Sequence, residues 1–165
     1  MSPDGNSAIL FGNYVGSFGS GDLFYSCKVA GGWTTPCNLG GAINTNNWES
    51  QASLGPDGKT LLFISDREDK SEADIYVSFL TNEGWTKPLN IGPTINVKGK
   101  FEGAPQLAAD GKTLYFCSNG HPGFGKKDIF YAKRLDDSWT SWSKPVNLGK
   151  YVNTLEEEKY FTLPA

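Results

Sequence analysis

A chain of 165 residues with 15 Lys and Arg against 18 Asp and Glu, both signs interspersed, has a net charge of −3 and no basic stripe, so the electrostatic footprint of a nucleic-acid-binding protein is missing. Aromatic residues make up 13%, with 20 Gly and 9 Pro, a mix that suits many short strands and tight turns, and no apolar run is long enough for a membrane-spanning helix. Three cysteines without C-x-x-C spacing argue against a disulfide framework and against a zinc site.

The first unit covers about residues 1–47. It opens on Pro3-Asp4-Gly5, runs through Ile9-Leu10-Phe11-Gly12-Asn13, returns at Asp22-Leu23-Phe24-Tyr25 and closes on Trp33-Thr34-Thr35-Pro36-Cys37-Asn38-Leu39-Gly40 with Ile43-Asn44. A second unit over 48–100 repeats this and adds a beginning: Trp48-Glu49-Ser50, Pro56-Asp57-Gly58-Lys59, Thr60 to Ser65, Asp74-Ile75-Tyr76-Val77 and Trp85-Thr86-Lys87-Pro88-Leu89-Asn90-Ile91-Gly92 with Ile95-Asn96. The third, over 101–154, reads Phe101-Glu102, Asp110-Gly111, Thr113 to Asn119, Asp128-Ile129-Phe130-Tyr131 and Trp142-Ser143-Lys144-Pro145-Val146-Asn147-Leu148-Gly149. Asp4, Asp57 and Asp110 stand 53 residues apart each time, so length varies in loops and not in the framework. A period of this size, filled with short apolar runs, is the mark of a propeller or a related repeat array.

Within the middle unit the pattern predicts four strands: Gln51 to Leu54, Lys59 to Ser65, Asp74 to Leu80 and Trp85 to Ile91. A type I′-like turn at Asp57-Gly58 joins the first two, and Pro88, which cannot donate to a ladder, makes the fourth an edge. The predicted fold is an all-β propeller of four-stranded antiparallel blades, three per chain. Residues 155–165 align with the start of a further unit, placing Glu158 with Glu49 and Glu102, and Leu163 with Leu54, so they read as a closing strand for the first blade. Three blades do not close a ring. The expectation is either a homo-oligomer, two chains forming six blades by exchanging terminal strands, or a piece of a larger propeller.

At Pro56-Asp57-Gly58-Lys59, Phe63-x-Ser65-Asp66-Arg67 and Asp74-Ile75-Tyr76 the sequence resembles the WD40-like PD40 repeat of TolB-type propellers. The tail Trp85-x-x-Pro88-x-Asn90-Ile91-Gly92-x-x-Ile95-Asn96 resembles the subset found before OmpA-type peptidoglycan-binding domains. The likeness covers the whole chain and departs at Ala109, at Asn119-Gly120 and at Gly12-Asn13, all in turns. It implies a non-enzymatic binding or scaffold module of the periplasm or outer envelope, with protein or cell-wall components as partners, no cofactor and no catalytic residues. The alternatives are a glycan-binding or glycan-hydrolysing propeller, whose differing carboxylates would gather at one end of the channel, and a designed or excised fragment.

Asp22, Asp74 and Asp128, one per unit before the third strand, read as structural acceptors of turn N–H groups, and Asp4, Asp57 and Asp110 as turn residues. Trp33, Trp85 and Trp142 read as packing between blades. The carboxylates Asp66, Asp69, Glu72 and Asp74 are interleaved with Arg67 and Lys70 and match no calcium loop, so no metal site is predicted. His121, the only histidine, has no partner at nucleophile or metal spacing. Cys117 falls on a buried strand position, and pairing of Cys27 with Cys37 is left open. The candidate ligand contacts are Tyr14, Phe18, Arg67, His121 and Phe124, in the loops that differ between units.

Overall fold

The computed structural model describes residues 1–2, 4–68 and 72–163. The first sheet holds β1 (Ser7–Gly12), β2 (Asp22–Val29), β3 (Gly32–Trp33) and β4 (Cys37–Asn38). The second holds β5 (Glu49–Leu54), β6 (Thr60–Ser65), β7 (Asp74–Thr81), β8 (Gly84–Trp85) and β9 (Leu89–Asn90). The third holds β10 (Glu102–Leu107), β11 (Thr113–Ser118), β12 (Asp128–Lys133) and β13 (Val146–Asn147). All pairing within the sheets is antiparallel, and the three sheets share one register, with Gly12 opposite Asp22, Ser65 opposite Asp74 and Ser118 opposite Asp128.

The sheets stack face to face as blades because their central strands are apolar on both sides. Every residue of β6, Thr-Leu-Leu-Phe-Ile-Ser, is buried. Leu61, Phe63 and Tyr76 point to the first blade and meet Leu23, Ile43 and Ile9. Leu62, Ile64, Ile75 and Val77 point the other way and meet Leu114, Phe116, Phe130 and Ala132 of the third. Period-two alternation along one strand thus serves two blade junctions at once. The inner strands β5 and β10 lie against each other, and Ser53 Oγ donates to the Pro105 carbonyl at 2.5 Å.

Three details differ from the sequence expectation. The turn into β6 is not type I′: Gly58 N donates to the Gly55 carbonyl at 3.0 Å, and of the turn residues only Gly58 has positive φ, 65°, which makes it a type I turn followed by a left-handed glycine. Asp57 holds it by accepting from Lys59 N (2.9 Å), Thr60 N (2.8 Å) and Thr60 Oγ1 (2.7 Å), and Asp110 repeats the arrangement around Gly111. Gly58→Ala is expected to cost about 1 kcal/mol through backbone strain alone, since open space surrounds the position, and urea unfolding checks it.

The fourth strand is also not continuous. It is broken into β8 and β9 on either side of Thr86-Lys87-Pro88. At the break Thr86 keeps the ladder to Phe79 partly through its side chain: Thr86 Oγ1 accepts from Phe79 N at 3.0 Å while Thr86 N donates to the Phe79 carbonyl at 2.9 Å. Thr34 with Cys27, and Ser143 with Lys133, repeat this pair of bonds. The Trp-Thr/Ser-x-Pro signature is therefore a side-chain repair of an interrupted edge.

The terminal segment does not pair with β1 of its own chain. Glu158 N donates to the Lys127 carbonyl at 2.9 Å, as Glu49 N does to Gly21 (3.0 Å) and Glu102 N to Ala73 (3.1 Å). Gln106 Nε2 donates to the Phe161 carbonyl, the counterpart of the Ser53–Pro105 bond. Residues 157–163 thus stand beside the third blade where the inner strand of a following blade belongs, and among the described residues β1 pairs with β2 alone.

Candidate functional site

Each blade carries one polar network that explains most of its repeated side chains. In the first, Asp22 accepts from Phe18 N (2.8 Å), Gly19 N (3.2 Å) and Asn38 Nδ2 (2.7 Å), and Asn38 Oδ1 accepts from Gly40 N (2.7 Å) and Asn44 Nδ2 (2.8 Å). Asn44 then clamps both main-chain groups of Leu23, accepting from its N–H at 2.9 Å and donating to its carbonyl at 2.8 Å. Asp74, Asn90 and Asn96 hold Ile75 in the same way, and Asp128, Asn147 and Asn153 hold Ile129. These aspartates resemble catalytic acids in sequence, yet each accepts from the network asparagine, and Asp22 and Asp128 also accept from N–H groups of the loop before the third strand.

A second network seals the blade junctions. Glu49 is fully buried and accepts from Thr45 N (2.8 Å), Thr45 Oγ1 (2.7 Å) and Ser65 Oγ (2.8 Å). Arg67 Nη2 stands 3.4 Å from the same carboxylate and donates to the Ile43 carbonyl at 2.7 Å, with its guanidinium over the rings of Phe63 and Tyr76. In the third blade Glu102 takes the place of Glu49, accepting from Val97 N (2.9 Å) and Ser118 Oγ (2.7 Å), but Gly120 stands where the arginine would. His121 fills the rest of the socket. Its Nε2 lies 2.9 Å from the Ile95 carbonyl, and its ring packs on Phe116 and Phe130. In the first blade Tyr14 occupies the equivalent place, edge-on to Phe24 at 4.8 Å.

Three of the five candidate contact residues, Tyr14, Arg67 and His121, are therefore one structural position, a cap that reaches over the third-strand aromatic towards the preceding blade. The other two are also equivalent. Phe18 and Phe124 each stand four residues before the anchoring aspartate, with the main chain tied down by Asp22 or Asp128 and the ring about half exposed. Asp69 and Lys70 lie outside the described residues, and among the described residues no group of His, Cys, Asp or Glu is arranged to hold a metal ion. Asp66 is used instead as an acceptor for Trp48 N at 2.8 Å.

Burial without a counter-ion pushes the Glu102 carboxyl up to about 7, helped by Asp74 and Glu72, while its bonds from Ser118 and Val97 oppose the rise. Burial likewise lowers the His121 imidazole below its ordinary value and raises the Cys117 thiol to about 11. Cys117 is buried, as a small apolar residue at that position would be, and Cys27 and Cys37 are free thiols. Among the cavities formed by the described residues, two flank the second and third blades together. One of about 460 Å³ is lined by Glu68, Glu72, Asp74, Asn90, Lys98 and Lys100 on the loop side. One of about 590 Å³, more apolar, lies where Leu54, Leu107 and Leu163 end the three inner segments beside Met1.

No family model and no curated protein matches the chain. Among solved structures, TolB from Acinetobacter baumannii matches with a TM-score of 0.53 at 20% identity over 80% of this chain. The chain has the TolB-like propeller fold. A puromycin-hydrolysing peptidase from Mycobacterium tuberculosis matches with a TM-score of 0.51 at 17% identity over 87% of the chain. The propeller blades described here span 28% of the length of the first and 20% of the second. At these identities the likeness is one of fold.

Proposed function

We propose that the chain is a non-enzymatic binding module of the bacterial cell envelope, presenting its loop face to a protein or a cell-wall component. One observation carries this: Phe18 and Phe124 are held out to solvent, half exposed, on loops whose main chain is fixed by buried aspartates. An apolar ring on a rigid stem is an economical contact, because little conformational freedom is lost when it is covered. The acidic residues that recur once per blade are engaged in the two repeated networks. The envelope setting rests on the resemblance to PD40 repeats of TolB-type and OmpA-associated proteins.

The test is co-sedimentation with purified peptidoglycan and capture of envelope proteins, each by the unaltered chain and by a Phe18→Ala, Phe124→Ala variant. Retention by the variant is expected to fall ~10-fold with no change in unfolding temperature, the loss of two exposed aromatic contacts. Equal retention by both, or turnover of the cell-wall polymer, would sink the reading.

A further inference from the structure

The second blade differs from the other two at the loop end of its sheet, and the difference is one of charge. Its cavity of about 460 Å³ is walled by Glu68 and Glu72, from the loop before the third strand, and by Lys98 and Lys100, from the loop that leads into the third blade. The repeat does not require these charges. In the first blade the same two loops, residues 13–21 and 45–48, carry no charged side chain at all. In the third blade they carry opposite charges that meet directly, Lys126 Nζ donating to Glu156 Oε2 at 2.6 Å. The second blade has this opposition with the signs exchanged, yet among the described residues neither glutamate pairs with either lysine.

The basic wall stands on a fixed turn. Lys100 N donates to the Val97 carbonyl at 3.0 Å, Gly99 takes a left-handed φ of 70°, and Val97 N is tied to the buried Glu102 carboxylate at 2.9 Å. On the acidic wall Asn90, held in the polar network of the blade, reaches Glu68 Oε2 at 3.5 Å. Beside Asn90 lies the Tyr76 hydroxyl, buried and without a hydrogen bond. Phe24 and Phe130 hold this place opposite the network asparagine in the other blades, so the extra hydroxyl belongs to the blade with the charged cavity. A buried hydroxyl without a partner costs stability, and a polar guest at Asn90 offsets that cost.

We propose that this cavity binds a short peptide with a free amino end and a free carboxyl end, the ammonium against Glu68 and Glu72 and the carboxylate against Lys98 and Lys100. A ligand of one sign is held by one wall and repelled by the other, whereas a zwitterion satisfies both. A free amino acid carries its two charges on one carbon; a peptide spaces them out, as walls of opposite sign around a cavity require. The volume lies in the range of small-ligand sites, roughly 300–1,000 Å³. All the lining residues fall between Glu68 and Lys100, so neither end of the chain contributes to the site. The proposal is independent of the binding role of Phe18 and Phe124.

The test follows the amide signals of Asn90, Lys98 and Lys100 by nuclear magnetic resonance while trialanine is added to the chain up to millimolar concentration. A saturable shift is expected, with affinity about 5-fold lower for N-acetylated trialanine and for its C-terminal amide, each of which has lost one ion pair. A Lys98→Ala, Lys100→Ala variant is expected to bind the free peptide and the amide equally, and a Glu68→Gln, Glu72→Gln variant the free peptide and the acetylated form equally, both with unfolding temperature unchanged. Absence of a saturable shift, equal affinity of the unaltered chain for free and capped peptides, or alanine binding as tightly as trialanine would each overturn the proposal. Phe18 and Phe124 are intact in every arm, so failure here is distinct from failure of the loop-face contact.

Discussion

Replacing Arg67 by Ala is expected to cost about 3 kcal/mol, because it leaves a buried carboxylate without its cation. Glu49 is fully enclosed, and the guanidinium that stands 3.4 Å from it also ties the Ile43 carbonyl and covers two aromatic rings. All three contacts cross or border the junction between the first and second blades, so the loss falls on the packing that makes the blades one body. For a chain of this size that corresponds to a fall in unfolding temperature of roughly 6–12 °C, read by calorimetry. Most of the loss is expected to be recovered in the Arg67→Ala, Glu49→Gln double variant, since the amide keeps an acceptor for Thr45 and removes the charge. If the double variant is no more stable than Arg67→Ala, the loss comes from packing and the Ile43 bond, and the charge account fails.

The third blade carries out the same experiment naturally, and its signature is a dependence on pH. Glu102 lacks the arginine and titrates near 7 in the folded chain, above its ordinary value of 4.5. A carboxyl whose folded value is raised favours the fold while protonated. Its contribution is complete below about pH 4.5 and is lost as the pH rises through about 7. Between about pH 5 and about pH 8 the loss is on the order of 2–3 kcal/mol, measurable by urea unfolding. Glu102→Gln is expected to flatten this dependence and to be the more stable protein at the alkaline end. Asp57 and Asp110 act in the opposite direction. Burial raises the first, but the N–H and hydroxyl donors of both turns leave them below the ordinary carboxylate range, so their stabilisation is lost only as the pH falls through the acidic range. The two effects together set a window of highest stability on the mildly acidic side of neutrality.

What could be read in advance follows from what repeats. The turn aspartates, the aspartates before the third strand and the four-strand plan occur once per unit, and identical residues at fixed offsets point to a shared framework; the asparagines that complete the network repeat as faithfully, but their task shows only in the structure. Glu158 was legible for this reason, and its bonds to Thr154 match those of Glu49 to Thr45. The cap was not. Tyr14, Arg67 and His121 differ in charge, shape and, for the histidine, by one place in the alignment, so sequence separates what the socket unites. The only clue was that each follows a second strand ending in Gly or Ser and then Asn or Asp. Gln51 and Ala104 were equally silent: both take positive φ, 46° and 47°, at a bulge in the inner strand, a conformation neither side chain announces. Pro88 did announce an edge, but nothing in the sequence announced that the Thr86 hydroxyl would accept from Phe79 N at the break in it.

That broken edge matters beyond the single molecule. A continuous outermost strand would display a row of free N–H and carbonyl groups, the template on which neighbouring molecules add strands and grow into fibrils. Here the outer edge is broken at a Thr/Ser-x-Pro segment in every blade, into two two-residue strands in the first and second and into a single bridge at Trp142 and β13 in the third, and a hydroxyl accepts from the neighbouring strand at each break. The outer edge of each blade therefore offers a neighbouring molecule no long run of free main-chain groups on which to lay a strand.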